Sequence, residues 1–216
     1  MKSPVRCPWS TFDDPLYLAY HDNEWGVPVH DDRVIFEFLV LEAFQAGLSW
    51  RTVLHKRKNF RRAFAGFDPR KVARFGKREV RRLMKDTGIV RNRAKIEASI
   101  TNAKQFLKVQ KEFGAFDRYM WSWVAGKPIR HQWRSLKDYP PFIAEAEAWA
   151  KDLKARGFKF LGPTVVYAHM QATGMVNDHA VSCFRHRRPA GARRGATGRL
   201  GRVARSTDSR NISLTD

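Results

Sequence analysis

The 216-residue chain carries 41 lysines and arginines against 21 aspartates and glutamates, a formal charge of +20, and is 43% hydrophobic and 12% aromatic. That apolar content excludes a wholly disordered chain, and the absence of 18 consecutive apolar residues excludes a membrane-spanning helix. MKSPVRCPW has basic residues but no apolar stretch after them, so no secretory signal is expected, and two cysteines are too few for a disulfide scaffold. Net charge of this sign points to a polyanionic partner, because neutralising phosphates releases counterions.

The charge is uneven. From Arg185 to Asp216, nine arginines and two aspartates give +7, which leaves +13 of the +20 for residues 1–184. The segment 185–216 has almost no large apolar residue and reads as a disordered basic extension, available at most for nonspecific phosphate contact. Residues 1–184 read as one all-α domain.

Asp31-Asp32 predicts a cap for a helix from Arg33 to about Ala46, with apolar Val34, Ile35, Phe36, Phe38, Leu39, Val40, Leu41 and Phe44 on nearly every face. A helix apolar all round lies in the middle of a bundle, and Gly47 ends it. Trp50, Val53, Leu54, Phe60 and Phe64 then follow helical spacing, with Arg51, Lys56, Arg57, Lys58 and Arg61 on the other face. Asp68-Pro69 opens a short helix. Further helices are expected from Arg78 to Asp86, Arg91 to about Lys111, Phe116 to Val124, Pro141 to Arg156, and Pro163 to Thr173. No alternation of useful length predicts a strand, and there is no internal repeat.

Four groups of residues bear on chemistry. His179 and Cys183 are one helical turn apart, and with Cys7 and His21 they form a two-thiolate, two-imidazole set of the kind that holds a closed structural zinc; the alternative is buried thiols or a disulfide. Glu42 sits inside the most apolar helix, where an ionised carboxylate is costly unless it meets a cation or hydrogen-bond donors. It is either a pocket acid for a cationic or amide-bearing ligand, or a partly exposed residue or one bonded to a neighbouring helix. Trp9, Tyr17, Tyr20, Trp25 and Trp50 are core aromatics or, around such an acid, the walls of a site for a flat cationic ring. Leu83 to Lys95 reads as helix, glycine-bearing turn, helix: a hairpin whose second helix offers free N–H groups to a phosphate, or merely a corner of a bundle.

Tyr20-His21-Asp22-Asn23-Glu24-Trp25-Gly26-Val27-Pro28, Leu41-Glu42-Ala43-Phe44-Gln45-Ala46-Gly47-Leu48-Ser49-Trp50, Gly157 to Gly162, and Asn177-Asp178-His179-Ala180-Val181-Ser182-Cys183 strongly resemble the bacterial DNA-3-methyladenine glycosylase I family over residues 5–184. The resemblance implies a two-lobed, all-α helix-hairpin-helix fold in which a structural zinc, held by Cys7, His21, His179 and Cys183, joins the N- and C-terminal segments. It implies that Glu42 is the catalytic-site carboxylate facing an extruded base. Tyr20, Trp50, Trp9 and Tyr17 then line the base pocket, and Gly47 and Leu48 approach the lesion, with Leu48 filling the vacated stack. Gly88, Ile89, Arg91 and Arg93 fall on the hairpin that grips DNA. The implied partner is double-stranded DNA with alkylated bases, for a cytoplasmic, monomeric bacterial enzyme that flips out 3-methyladenine and hydrolyses its N-glycosidic bond. No acidic residue lies between Glu97 and Glu112, so no separate aspartate base is assigned. The chain departs from the family in its arginine-rich extension and in Ser10-Thr11-Phe12, which alters the loop after Trp9. The competing reading is a non-enzymatic DNA-binding protein using the hairpin and the basic tail. A zinc hydrolase needs an open metal position, which a complete Cys2His2 set does not leave.

Overall fold

The computed structural model describes residues 4–10 and 13–187, so Thr11, Phe12 and most of the basic extension lie outside the described residues. Helices dominate: α1 (Pro15–Asn23), α2 (Asp32–Gln45), α3 (Trp50–Ala63), α4 (Pro69–Val72), α5 (Lys77–Lys85), α6 (Arg93–Phe113), α7 (Phe116–Ser122), α8 (Ala144–Ala155) and α9 (Pro163–Ala172). Only two-residue strands accompany them among the described residues: β1 (Ile129–Arg130) pairs in parallel with β2 (Val176–Asn177), Ile129 opposite Val176.

Side-chain caps set the helix starts. Asp14 accepts from the N–H groups of Leu16 and Tyr17, with Pro15 at the first position of α1; Asp31 accepts from Arg33 and Val34, Ser49 from Thr52, and Asn92 from Lys95. Asp32 does not share the capping of α2. It reaches across to the start of α7, accepting from the backbone N–H of Phe116 (2.9 Å) and Asp117 (2.8 Å) and from Gln110 (2.6 Å). Helix α1 has no counterpart in the sequence expectation, and α8 begins at Ala144, after the two prolines at 140 and 141.

Every residue of α2 from Ile35 to Phe44 is buried, as expected for a central helix, and α2 packs against α3, α6 and α9. Two apolar clusters result. The larger gathers α2 with α3 to α9; the smaller collects Cys7, Tyr17, Tyr20, Trp25, Phe38, Leu54, Ala172, Ala180 and Cys183. Trp50 packs against both. The segment after α1 is tied to the end of α9: Gly26 N donates to the Gln171 carbonyl (2.9 Å) and Val29 N to that of Thr173 (3.0 Å). Gly174, at φ +71°, crosses this segment so closely that a Cβ there would lie 2.4 Å from the backbone of Val27 and Pro28. Only glycine fits.

Candidate base pocket and metal centre

Glu42 projects from the last turn of α2 and is 4% exposed; its Oε2 has no hydrogen-bond partner. Burial pushes its carboxyl up to about 8. It borders a cavity of about 190 Å³ whose other walls are Trp9, Tyr17, Tyr20, Trp25, Gln45, Trp50, Tyr139, Ala168 and Gln171. Five chain segments therefore meet here: the N-terminal segment with α1, the end of α2, the start of α3, the irregular segment that carries Tyr139, and α9.

The rings are mutually supported. Tyr20 and Trp50 lie 5.2 Å apart at 47°, and Phe38, one turn before Glu42, lies 6.4 Å from Trp50 at 28°. Trp9 meets Tyr17 (5.8 Å) and Trp25 (4.7 Å) edge-on. The indole N–H of Trp50 is buried without a partner. Two residues lining the cavity, Glu42 and Trp50, thus each bury a polar atom without a partner among aromatic faces, an arrangement suited to a polar, flat ligand. Tyr20 is buried, and desolvation together with Glu42 raises its phenol, which keeps it neutral.

A second cavity, about 180 Å³, adjoins the first through Glu42, Gln45 and Ala168 and is lined further by Ala46, Gly47, Leu48, Thr164 and Val165. Leu48 is 45% exposed at its edge, and Gly47 holds φ +80°. Thr164, Ala168 and Gln171 fall at helical spacing on one face of α9 and line the two cavities in turn.

Cys7, His21, His179 and Cys183 are all buried, with ligand atoms within 4.8 Å of one another, and the cysteines are not disulfide-bonded. Cys7 Sγ lies 3.4 Å from His179 Nδ1, and Cys183 Sγ lies 3.6 Å from both His179 Nδ1 and His21 Nε2. A tetrahedral zinc with ordinary Zn–S and Zn–N bonds separates sulfur from nitrogen by about 3.6 Å. The donor set fits that ion. The outer ring nitrogens are fixed as well: His21 Nδ1 meets Asp22 Oδ1 at 2.8 Å, and His179 Nε2 donates to the Trp25 carbonyl at 3.1 Å. Burial lowers the His179 imidazole below its ordinary value, favouring the neutral form a metal ligand needs. Trp9 and Trp25 stand between this cluster and the cavity, their rings 5.1 Å from His21 and 4.7 Å from His179 respectively.

In the turn between α5 and α6, Gly88 N donates to Asp86 Oδ1 (2.8 Å), its carbonyl accepts from Asn59, and a Cβ at this position would meet Asn59 and Asp86 at 3.0 Å. Arg91 and Arg93 are exposed beside the N-terminus of α6, whereas Ile89 is 3% exposed and is a core residue. Tyr139, Gln45 and Gln171 are wall residues absent from the sequence expectation. Gln45 is the last residue of α2, Gln171 falls in an apolar helix, and Tyr139 in an irregular segment, so no local pattern marks them.

The methyladenine glycosylase family model matches residues 9–186. DNA-3-methyladenine glycosylase 1 of Escherichia coli (strain K12) is 49% identical over 178 residues, 82% of this chain and 95% of that protein. The Haemophilus influenzae DNA-3-methyladenine glycosylase is 43% identical over 179 residues, 83% of this chain and 96% of the other. Among solved structures, a crystal structure of 3-methyladenine DNA glycosylase I superposes with a TM-score of 0.82 at 49% identity, over 84% of this chain and 100% of the other. A Staphylococcus aureus 3-methyladenine DNA glycosylase I gives 0.82 at 38% identity, over 85% and 97%. With an acid-floored aromatic cavity in a helical fold, these likenesses place the chain among the DNA-repair glycosylases, hydrolases of N-glycosidic bonds. It belongs to the methyladenine glycosylase family.

Proposed function

We propose that the cavity receives 3-methyladenine extruded from duplex DNA and that the protein hydrolyses its bond to deoxyribose, leaving an abasic site. The observation that carries this reading is Glu42, a buried carboxylate with one unpartnered oxygen among aromatic rings. Methylation at N3 gives adenine a positive charge. That cation gains from the ionised carboxylate and from the faces of Tyr20 and Trp50, whereas neutral adenine does not. Trp9 and Tyr17 complete the walls, and arrival of the charged base favours loss of the proton that burial keeps on Glu42.

Water adds to C1′ as the C1′–N9 bond breaks. The bonding electron pair passes to the purine and neutralises it, and the proton shed by the water goes to solvent. Because the leaving group is already cationic, holding it in place supplies most of what the reaction needs. Glu42 is the catalytic residue assigned to the base.

The remaining assignments follow the same reading. Gly47 and Leu48 enter the duplex, the exposed Leu48 side chain filling the gap left by the base. Gly88, Arg91 and Arg93, with the backbone around the core residue Ile89, grip phosphate in a two-lobed helix-hairpin-helix fold. Cys7, His21, His179 and Cys183 hold one zinc, which, when bound, supplies a cross-link between the two ends of the fold and no reaction chemistry, since four protein donors complete its tetrahedron. Residues 1–184 form the working domain of a monomeric cytoplasmic protein, and the basic segment 185–216, from residue 188 outside the described residues, adds nonspecific phosphate attraction. No helix is long and apolar enough to cross a membrane among the described residues.

The deciding experiment incubates methylated duplex DNA with the protein and measures free 3-methyladenine. Release is expected, falling at least about 100-fold in the Glu42→Ala, Trp50→Ala double variant. Release unaffected by both changes overturns the pocket assignment. Salt-dependent DNA binding with no release in the unmodified protein returns the non-enzymatic reading.

A further inference from the structure

We infer that Gln171 is a specificity-determining residue, whose side-chain oxygen accepts a hydrogen bond from the 6-amino group of the purine and so selects 6-amino over 6-oxo bases. This rests on the cavity being the base site. Asp178 is fully buried and gathers four donors. Its Oδ1 accepts from Trp133 Nε1 (3.1 Å) and His131 Nδ1 (2.5 Å), and its Oδ2 from Gln171 Nε2 (2.8 Å) and the Tyr167 hydroxyl.

The consequence for Gln171 is an amide with one orientation. A flipped amide would set its oxygen against Oδ2 of the fully buried Asp178, two acceptors with no proton between them. The NH2 group is therefore committed to Asp178. Oε1 makes no hydrogen bond among the described residues, and Gln171 lines the cavity beside Ala168 on the same face of α9.

A 6-amino purine carries two N–H donors at that edge, and two wall residues keep an acceptor for them: Glu42 at its buried, unpartnered Oε2, and Gln171 at Oε1, since its NH2 is held by Asp178. A 6-oxo purine carries an acceptor there and meets Gln171 with like polarity. Sites built to pair a donor discriminate strongly against ligands that lack it, because the site's own polar group is then stranded. Glu42 recognises charge, which 3-methyladenine and 3-methylguanine share in DNA. Gln171 tells the two apart.

The test is a cycle across protein and ligand. Binding of free 3-methyladenine and of 3-methylpurine, which lacks the amino group, is measured by calorimetry for the unmodified protein and for Gln171→Met. Release of 3-methyladenine and 3-methylguanine from methylated DNA is measured alongside. Loss of the amino group is expected to weaken binding to the unmodified protein about tenfold more than binding to the variant, and the variant's release ratio is expected to shift about tenfold toward 3-methylguanine. Equal losses in both proteins with an unchanged release ratio overturn the inference while the base-site reading stands. Should Gln171→Met fail to fold, the unmodified protein still decides: binding 3-methylpurine as tightly as 3-methyladenine overturns it. An unmodified protein that binds and releases no methylated purine overturns the base-site reading itself, and the inference with it.

Discussion

Lys95, in the first turn of α6, donates its ammonium to the carbonyl of Ala46 at 2.5 Å and also to that of Phe44 at 2.9 Å. Helix α6 thus places a cation on the last carbonyls of the helix that carries Glu42. The start of α6 is thereby tied to the turn of Gly47 and Leu48, which lines the second cavity. Lys95→Met strands two carbonyls and is expected to cost about 2 kcal/mol in stability and to lower base release by loosening that turn. Thermal melts and the release assay check this; a variant matching the parent in both shows the contact to be incidental.

Glu42 makes stability depend on pH. Its carboxyl titrates near 8 in the fold, against an ordinary value of 4.5. Between those values the native state holds a proton that the unfolded chain has lost, so stability falls as pH rises through this window, by roughly 1.4 kcal/mol per unit. Below the window the penalty is absent; above it, complete. Urea unfolding at pH 5 and pH 8.5 is expected to show a loss of a few kcal/mol that is smaller in Glu42→Gln. Parallel pH profiles for the two proteins would contradict it.

For the metal, elemental analysis is expected to return about one zinc per chain. Cys183→Ser is expected to lose it and to melt about 10 °C lower, and a strong chelator should reproduce the shift in the parent. A metal-free protein melting at the same temperature as the loaded one removes the ion from the account.

Trp50→Ala is expected to weaken 3-methyladenine binding about 10- to 100-fold, through loss of the stacking face, with a smaller effect from Trp50→Phe. Because Trp50 borders the cavity, quenching of its fluorescence provides the titration signal. Equal affinity in all three proteins would remove Trp50 from the pocket wall.

The central helix is legible because two signals agree: a capping aspartate and an unbroken apolar run from Ile35 that no solvent-facing helix could carry. Neighbouring aspartates of identical chemistry nevertheless divide their work, Asp31 locally and Asp32 on α7, and only the tertiary arrangement distinguishes them. Helix α1 escapes pattern reading because its nine residues serve several surroundings at once. Tyr20 faces the cavity, His21 the cysteines, and Leu16 is 45% exposed, so no single stripe emerges. The Cys/His cluster was suggested by residue type, but spacing shows only half of it, since Cys7 and His179 lie 172 positions apart. Gln171 is silent in the sequence because what fixes its amide at the cavity wall is a partner seven residues on, in an irregular segment.

That separation has a temporal consequence. As the chain leaves the ribosome, Cys7 and His21 emerge first, and His179 and Cys183 only after more than 150 further residues. Trp25 packs on His179, so this wall of the cavity gains its full backing only when the last part of the domain has been made.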